Sequence, residues 1–156
     1  MPTALHLPTL AATHALAAAL AAVLRPGDAV LLQGPLGAGK SALARAVLRA
    51  ATANPALDVP SPSFTLVQTY ETPRGPIHHF DLWRLAGPQG LPELGWDEAV
   101  ADIVLVEWPE RLGALRPPGA LSVTLALHPD DSRIATLSGW PARLPAILAE
   151  MLAKTP

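Results

Sequence analysis

Apolar residues along this chain gather into short unbroken runs and a few longer helical stretches, and the two kinds alternate. Residues 29–33 (AVLLQ) and 103–107 (IVLVE) are apolar runs of strand length closed by a polar residue. That is the pattern of strands buried on both faces of a parallel sheet. Residues 5–7 read as a short edge strand, and Thr9 or Thr13 can cap an Ala-rich helix that runs to Leu24, where Arg25-Pro26-Gly27-Asp28 ends it. Residues 41–51 are good helix formers. Residues 64–70 and 77–82 are β-like and joined by Thr72-Pro73-Arg74-Gly75-Pro76, which predicts a hairpin or a close antiparallel pair. A helix is predicted around residues 93–101, a terminal pair of strands over 121–127 and 133–137, and an amphipathic helix over 142–154. Interleaved strands and helices without an internal repeat predict an α/β fold, one domain over residues 1–156 with a mixed central β-sheet flanked by helices.

Between the run 29–33 and the helix 41–51 stands Gly34-Pro35-Leu36-Gly37-Ala38-Gly39-Lys40-Ser41, a match to G-x-x-x-x-G-K-S/T. Its place between a buried strand and a helix is the one that a phosphate-binding P-loop requires. The glycines let the backbone curl until successive N–H groups point at phosphate oxygens, and the helix N-terminus adds the positive end of its dipole. Lys40 brings a full charge and Ser41 a hydroxyl suited to Mg²⁺. The alternative is a chance glycine turn, but the flanking elements argue against it. So does lysine usage, since the chain has only two lysines, Lys40 and Lys154. Leu36, Gly37, Ala38, Gly39, Lys40 and Ser41 are therefore expected to cradle a nucleotide phosphate, in a P-loop NTPase domain.

Mg²⁺ wants oxygen ligands, and P-loop enzymes pair the loop hydroxyl with an acid at the end of a neighbouring apolar strand. Two acids qualify. Asp81 ends the run 77–81 (IHHFD), and Glu107 ends the purer buried run 103–107. One can hold Mg²⁺ while the other orients a water, and the pattern leaves that division open. His78 and His79 are adjacent, so in a strand they face opposite sides and cannot share a metal; His78 reads as structural, while His79 lies two residues from Asp81. Ser61-Pro62-Ser63-Phe64-Thr65 lies where a switch loop would sense a γ-phosphate. Arg84, Arg111 and Arg133 each read as ordinary surface arginines, with Arg133 retained as a candidate nucleotide contact. Asp130-Asp131 reads as a solvated turn.

With 156 residues, half of them hydrophobic, the chain can bury one core. A charged fraction of 15% and a net charge of −2 supply no basic field for a polyanion, so tight binding of tRNA by this chain alone is not expected. Zero cysteines exclude a disulfide framework and thiolate metal sites, and agree with a reducing compartment. The longest apolar stretch, residues 15–24, falls short of the roughly 20 residues needed to span a bilayer and lacks the preceding positive charge of a signal peptide. It is expected to be a packed helix of a cytoplasmic protein with no membrane association.

Four separated strings converge on one family. The P-loop, Ser61-Pro62-Ser63-Phe64-Thr65-Leu66-Val67, His79-Phe80-Asp81-Leu82-Trp83-Arg84-Leu85 and Val106-Glu107-Trp108-Pro109 resemble, in order and spacing, the TsaE (formerly YjeE) family of bacterial tRNA threonylcarbamoyladenosine biosynthesis ATPases. The resemblance covers roughly residues 5–140. It implies an ATP- and Mg²⁺-dependent ATPase that assists TsaD and TsaB as they attach threonylcarbamoyl to adenosine 37 of tRNAs reading ANN codons, with tRNA met only through that complex. By the same resemblance Ser41 and Glu107 are the Mg²⁺ ligands, Asp81 is a second acid needed for hydrolysis, and Trp108 lies beside the nucleotide or a partner surface. Departures from the family pattern are Pro35 where Asp is common, Ser41 for Thr, and Phe64 and Trp83 for Tyr. The rival readings are a small-molecule kinase, which would need an acceptor pocket under an arginine-bearing lid, and a non-hydrolysing nucleotide switch. A GTPase fits least, because no N-K-x-D string is present.

Overall fold

The structure, a computed structural model, describes residues 2–154. Seven strands form one mixed sheet: β1 (Thr3–Leu7), β2 (Ala29–Gln33), β3 (Val67–Tyr70), β4 (Ile77–Asp81), β5 (Ile103–Glu107), β6 (Leu121–Leu127) and β7 (Arg133–Ser138). Their order across the sheet is β1-β7-β6-β2-β5-β4-β3. The middle four, β6-β2-β5-β4, run parallel, and antiparallel pairs close both sides. The two pure apolar runs, β2 and β5, are neighbours at the centre, where both faces of a strand are covered.

Three helices cover one face: α1 (Leu10–Val23), α2 (Lys40–Ala51) and α4 (Leu144–Lys154). Between the two candidate caps, the choice falls on Thr9, whose Oγ1 accepts from the Ala12 amide, while Thr13 is buried inside α1. The many alanines of α1 let it lie close to α2, α4 and the sheet at once, and Leu16, Leu20, Leu43, Leu48 and Ile147 fill that core against Val30, Leu32, Leu105 and Val123.

On the other face the expected helix over residues 93–101 is replaced by two 3₁₀ turns, Pro88–Gly90 and Pro92–Leu94, and a single helical turn, α3 (Trp96–Ala99). Gly95 adopts a left-handed φ of 76° that breaks the run. The irregular chain turns Trp96 inward, edge-on to Phe80 at 5.0 Å, over Leu31, Val104 and Val106. The strand expected over residues 64–70 likewise begins only at Val67, because a turn closed by the Leu66 amide on the Pro62 carbonyl (2.7 Å) holds Leu66 at φ 69°.

One largely buried ion pair ties the turn before the C-terminal helix to the root of β2. Asp28 follows the α1–β2 turn and accepts two bonds from the Arg143 guanidinium, at 2.6 and 2.9 Å, plus the Arg25 amide at 2.8 Å. Arg143 also lies over the Trp140 ring at 3.8 Å. Removing one partner of a buried pair strands the other. Asp28→Ala is expected to cost about 2–3 kcal/mol of unfolding free energy, read from urea melts. A cost indistinguishable from that of an exposed substitution would show that the pair holds nothing.

Candidate functional site

The site forms where β2, β4 and β5 end together, the edge at which parallel α/β sheets bind ligands. The P-loop leaves β2 and enters α2. Its backbone is one that only glycine tolerates at two places: a Cβ on Gly34 would collide with the Leu125 carbonyl, and Gly39, the residue before α2, has φ 106°. Arg133 on β7 donates from Nε to the Ala38 carbonyl at 2.9 Å and from its NH2 group to the Gly37 carbonyl at 3.3 Å, so it braces the loop from outside.

In the parallel register Asp81 of β4 stands opposite Glu107 of β5. Glu107 is 1% exposed. Its Oε1 accepts from the Ser41 hydroxyl at 2.8 Å and its Oε2 from His79 Nε2 at 2.7 Å. Asp81 accepts from the Trp83 amide at 3.1 Å and, at the long limit of 3.5 Å, from the Ser61 hydroxyl, which itself pairs with Ser63 at 2.8 Å. Burial pushes the Asp81 carboxyl above its ordinary pKa; the Trp83 amide opposes this and the Glu107 charge adds to it.

Lys40 donates to the Gly34 carbonyl and to the Pro35 carbonyl (3.0 Å), and its ammonium lies 4.0 Å from the centre of the Trp108 ring. Desolvation pulls its pKa down, against the carboxylates of Glu107, Glu110 and Asp81. Trp108 holds a left-handed φ of 59° directly after β5, and its ring meets that of Trp83 at 4.4 Å. Leu36, Gly37, Gly39, Lys40, Ser41, Asp81, Glu107 and Trp108 thus line one cleft of about 350 Å³, with Ser61 and Ser63 on its far wall. Ala38, though part of the loop, is buried and does not line this cleft. Arg133 lines a separate cleft of about 240 Å³ on the other side of the loop, with Leu7, Thr9, Thr13 and Asp131.

His79 is the site residue that sequence reasoning undervalued. The signal was present, because strand alternation puts residues 79 and 81 on one face. His78 faces the other way, bonded to Thr69 (2.9 Å) and Asp102 (2.9 Å). Asp130 is spent within its turn on Ser132 and His128.

A strand-loop-helix phosphate cradle at the centre of a mixed sheet is the P-loop NTPase fold. The family model described as threonylcarbamoyl adenosine biosynthesis protein TsaE matches residues 7–135. The chain belongs to the TsaE family. Among similar proteins, a tRNA threonylcarbamoyladenosine biosynthesis protein TsaE from Rickettsia bellii is 39% identical over 81% of this chain and 88% of its own. One from Aquifex aeolicus is 37% identical over 64% of this chain and 71% of its own. The crystal structure of YdiB from Bacillus subtilis superposes with a TM-score of 0.73 at 25% identity, covering 98% of this chain and 95% of the other. Membership of the TsaE family gives this chain a role in tRNA threonylcarbamoyladenosine biosynthesis, and family and fold together make it a nucleotide-binding protein. No helix among the described residues is long and apolar enough to cross a membrane.

The raised Asp81 pKa makes a signed prediction. A carboxyl that holds its proton more tightly in the folded state contributes stability that is fully present below its unfolded pKa and lost as pH rises through the raised native one. At pH 7 its ionised form therefore burdens the fold. Without nucleotide or metal, Asp81→Asn is expected to be more stable than the parent at pH 7, with the gain shrinking as the buffer is taken toward pH 4. Denaturant melts across that range measure it, and an Asn variant less stable at pH 7 would contradict the burial argument.

Proposed function

We propose that this chain binds ATP with Mg²⁺ in the P-loop cleft and hydrolyses it slowly or under partner stimulation, as the ATPase subunit that assists TsaD and TsaB in the cytoplasm. The observation that carries the reading is the Ser41 hydroxyl 2.8 Å from the Glu107 carboxylate at the mouth of a P-loop, with Asp81 in register beside it.

The residues suit the metal. Ser41, Glu107 and Asp81 offer hydroxyl and carboxylate oxygens only, the hard donors that Mg²⁺ takes alongside substrate phosphates. Ser41 and Glu107 are its ligands in this reading, and Asp81 is the acid that orients water. When bound, Mg²⁺ would neutralise charge on the phosphates and on the leaving oxygen.

Protein groups do the rest by position and charge. The loop from Leu36 to Gly39 and the first turn of α2 direct amide N–H groups at the phosphates. Lys40, folded back on the carbonyls of Gly34 and Pro35, has its ammonium ready to exchange a neutral acceptor for an anionic one. Asp81, whose proton affinity is raised by burial, is a better acceptor for a water proton than an exposed aspartate. Trp108 stacks against Lys40 and limits water at its ammonium. Arg133, on the far side of the loop, holds the Gly37 and Ala38 carbonyls and so keeps the curve of the loop. The Ser61 to Thr65 segment, which among the described residues meets the Asp81 carboxylate through the long Ser61 bond, is the part assigned to respond to a γ-phosphate.

A ligand at a hundredfold excess over its Kd stabilises the native state by about 2.7 kcal/mol. ATP with Mg²⁺ is expected to raise the melting temperature accordingly, and Lys40→Ala to lose most of that gain; an undiminished shift would remove the loop assignment. Loss of a mere outer-shell partner of a metal costs about 10–100-fold in affinity or activity, so Glu107→Gln is expected to lose at least as much hydrolysis while remaining folded. Phosphate release with and without TsaD and TsaB is the measurement, and normal stimulated turnover in this variant would defeat the site.

Recruitment supplies a further test. With a net charge of −2 the isolated chain is expected to hold tRNA only weakly and to join it through TsaD and TsaB. An ATP analogue and ADP should give different TsaD–TsaB affinities in a titration, because a ligand shifts a conformational equilibrium only by its differential contacts. Equal affinity in both states and without nucleotide would remove the switch.

A further inference from the structure

We propose that His79 is a positioning residue for the Glu107 carboxylate, fixing which oxygen faces the cleft and thereby setting how tightly the site holds its divalent cation. The role rests on the reading of Glu107 as a magnesium ligand.

Both side chains are about 2% exposed and 2.7 Å apart. The two oxygens of Glu107 are divided between two donors: Ser41 takes Oε1 at the cleft side, and His79 Nε2–H takes Oε2 on the buried side. The Ser41 hydroxyl is itself a candidate ligand, and a hydroxyl that turns to a cation releases Oε1. Among the described residues His79 is then the one remaining hydrogen-bond donor to this carboxylate. A carboxylate with no second anchor rotates about its terminal torsion, which is broad and roughly two-fold, and offers either oxygen. One anchored by a rigid imidazole presents the same oxygen each time. Metal-ligating groups are commonly held in this way by a partner outside the coordination shell.

The rest of the ring points to the same role. His79 Nδ1 is buried with no hydrogen-bond partner among the described residues. A histidine kept for its own hydrogen-bond balance would use both nitrogens. This one leaves one nitrogen bare and spends the other on Glu107, so its polar contribution is a single N–H aimed at Oε2. His79 comes from β4 and Glu107 from β5, with Leu105 as the ladder partner of His79, so backbone pairing fixes the distance between them.

Amide side chains separate the two nitrogens. Gln places its amide near the position of Nε2, and Asn places its amide near that of Nδ1. The experiment titrates Mg²⁺ into the full chain with a non-hydrolysable ATP analogue and reads half-saturation from the thermal shift, for His79→Gln, His79→Asn, His79→Leu, Glu107→Gln and His79→Leu combined with Glu107→Gln. His79→Asn and His79→Leu are expected to raise the half-saturating Mg²⁺ by about tenfold or more, and His79→Gln by less than about threefold. Binding of the analogue in EDTA stays unchanged, and His79→Leu adds nothing to Glu107→Gln. If Glu107→Gln shifts the Mg²⁺ requirement while His79→Asn and His79→Leu do not, the ring is core packing and this role alone falls. An equal loss in Gln, Asn and Leu variants also overturns it, since that tracks the ring's volume and not its N–H. If Glu107→Gln shifts nothing, Glu107 is no ligand, and the reading of the site falls together with the role.

Discussion

Asp81 and Glu107 are held opposite each other across the β4–β5 ladder, at the point where the P-loop leaves β2. Two unit charges about 5 Å apart repel by about 3 kcal/mol at an effective dielectric near 20. A sheet that buries both must surround them with donors. The donors come from several neighbouring segments: Ser41 from α2, His79 from β4 itself, the Trp83 amide from the chain after it, the Ser61 hydroxyl at the long limit, and the nearby Lys40 charge from the end of the loop. Each of these elements is thereby tied to the others through the carboxylates as well as through apolar packing. The burden that remains falls on Asp81, whose carboxyl is pushed toward its neutral form. A fold that wanted only stability would not keep this arrangement, and binding sites are where such a cost is tolerated.

The two faces of the sheet divide the labour. Behind the P-loop stands a thick layer of regular helices, with α1 buried along much of its length and α4 clasped to Asp28 by Arg143. That layer fixes the N-terminal end of α2, and so the direction of its amides. The opposite face is covered by proline-started turns and the four-residue α3. There the chain can carry Trp83, Phe64 and the Ser61 to Thr65 loop past the cleft without disturbing the helical core. Phe64 lies exposed, with the Arg84 guanidinium 4.7 Å from its ring, so this rim is built from local contacts.

Much of this could be read from the chain because its strongest signals are local. Four successive apolar residues closed by an acid, a threonine before an alanine run, and eight residues of P-loop each state their structure within a few positions. The cover over Phe80 could not be read that way, since Trp96, Ala99 and Val100 carry helical spacing and only Gly95 interrupts the run. The start of β3 was missed for a similar reason: Leu66 has the side chain of a strand residue and the backbone of a turn. In the site, alternation put His79 and Asp81 on one face but said nothing of what they meet. That depends on β4 pairing with β5 in a register which sets Asp81 opposite Glu107, and a register between segments some twenty residues apart is decided by the assembled sheet. Arg133 is the extreme case, an ordinary arginine in sequence that reaches the loop carbonyls only because β7 lies two strands from β2.

The four tryptophans fall into two optical classes. Trp96 and Trp140 are enclosed, at 3% and 7% exposure, on opposite faces of the sheet, Trp140 beneath the Arg143 guanidinium. Trp83 is 42% exposed and in tilted contact with Trp108, which lies under a lysine ammonium in the cleft. Enclosed indoles emit toward the blue and wet ones toward the red, so the emission of the unlabelled chain separates the state of its core from the state of its cleft. Contact quenching between Trp83 and Trp108 depends on the spacing of β4 and β5 at their ends, which makes the red component a gauge of how far apart the two acidic strands stand in solution.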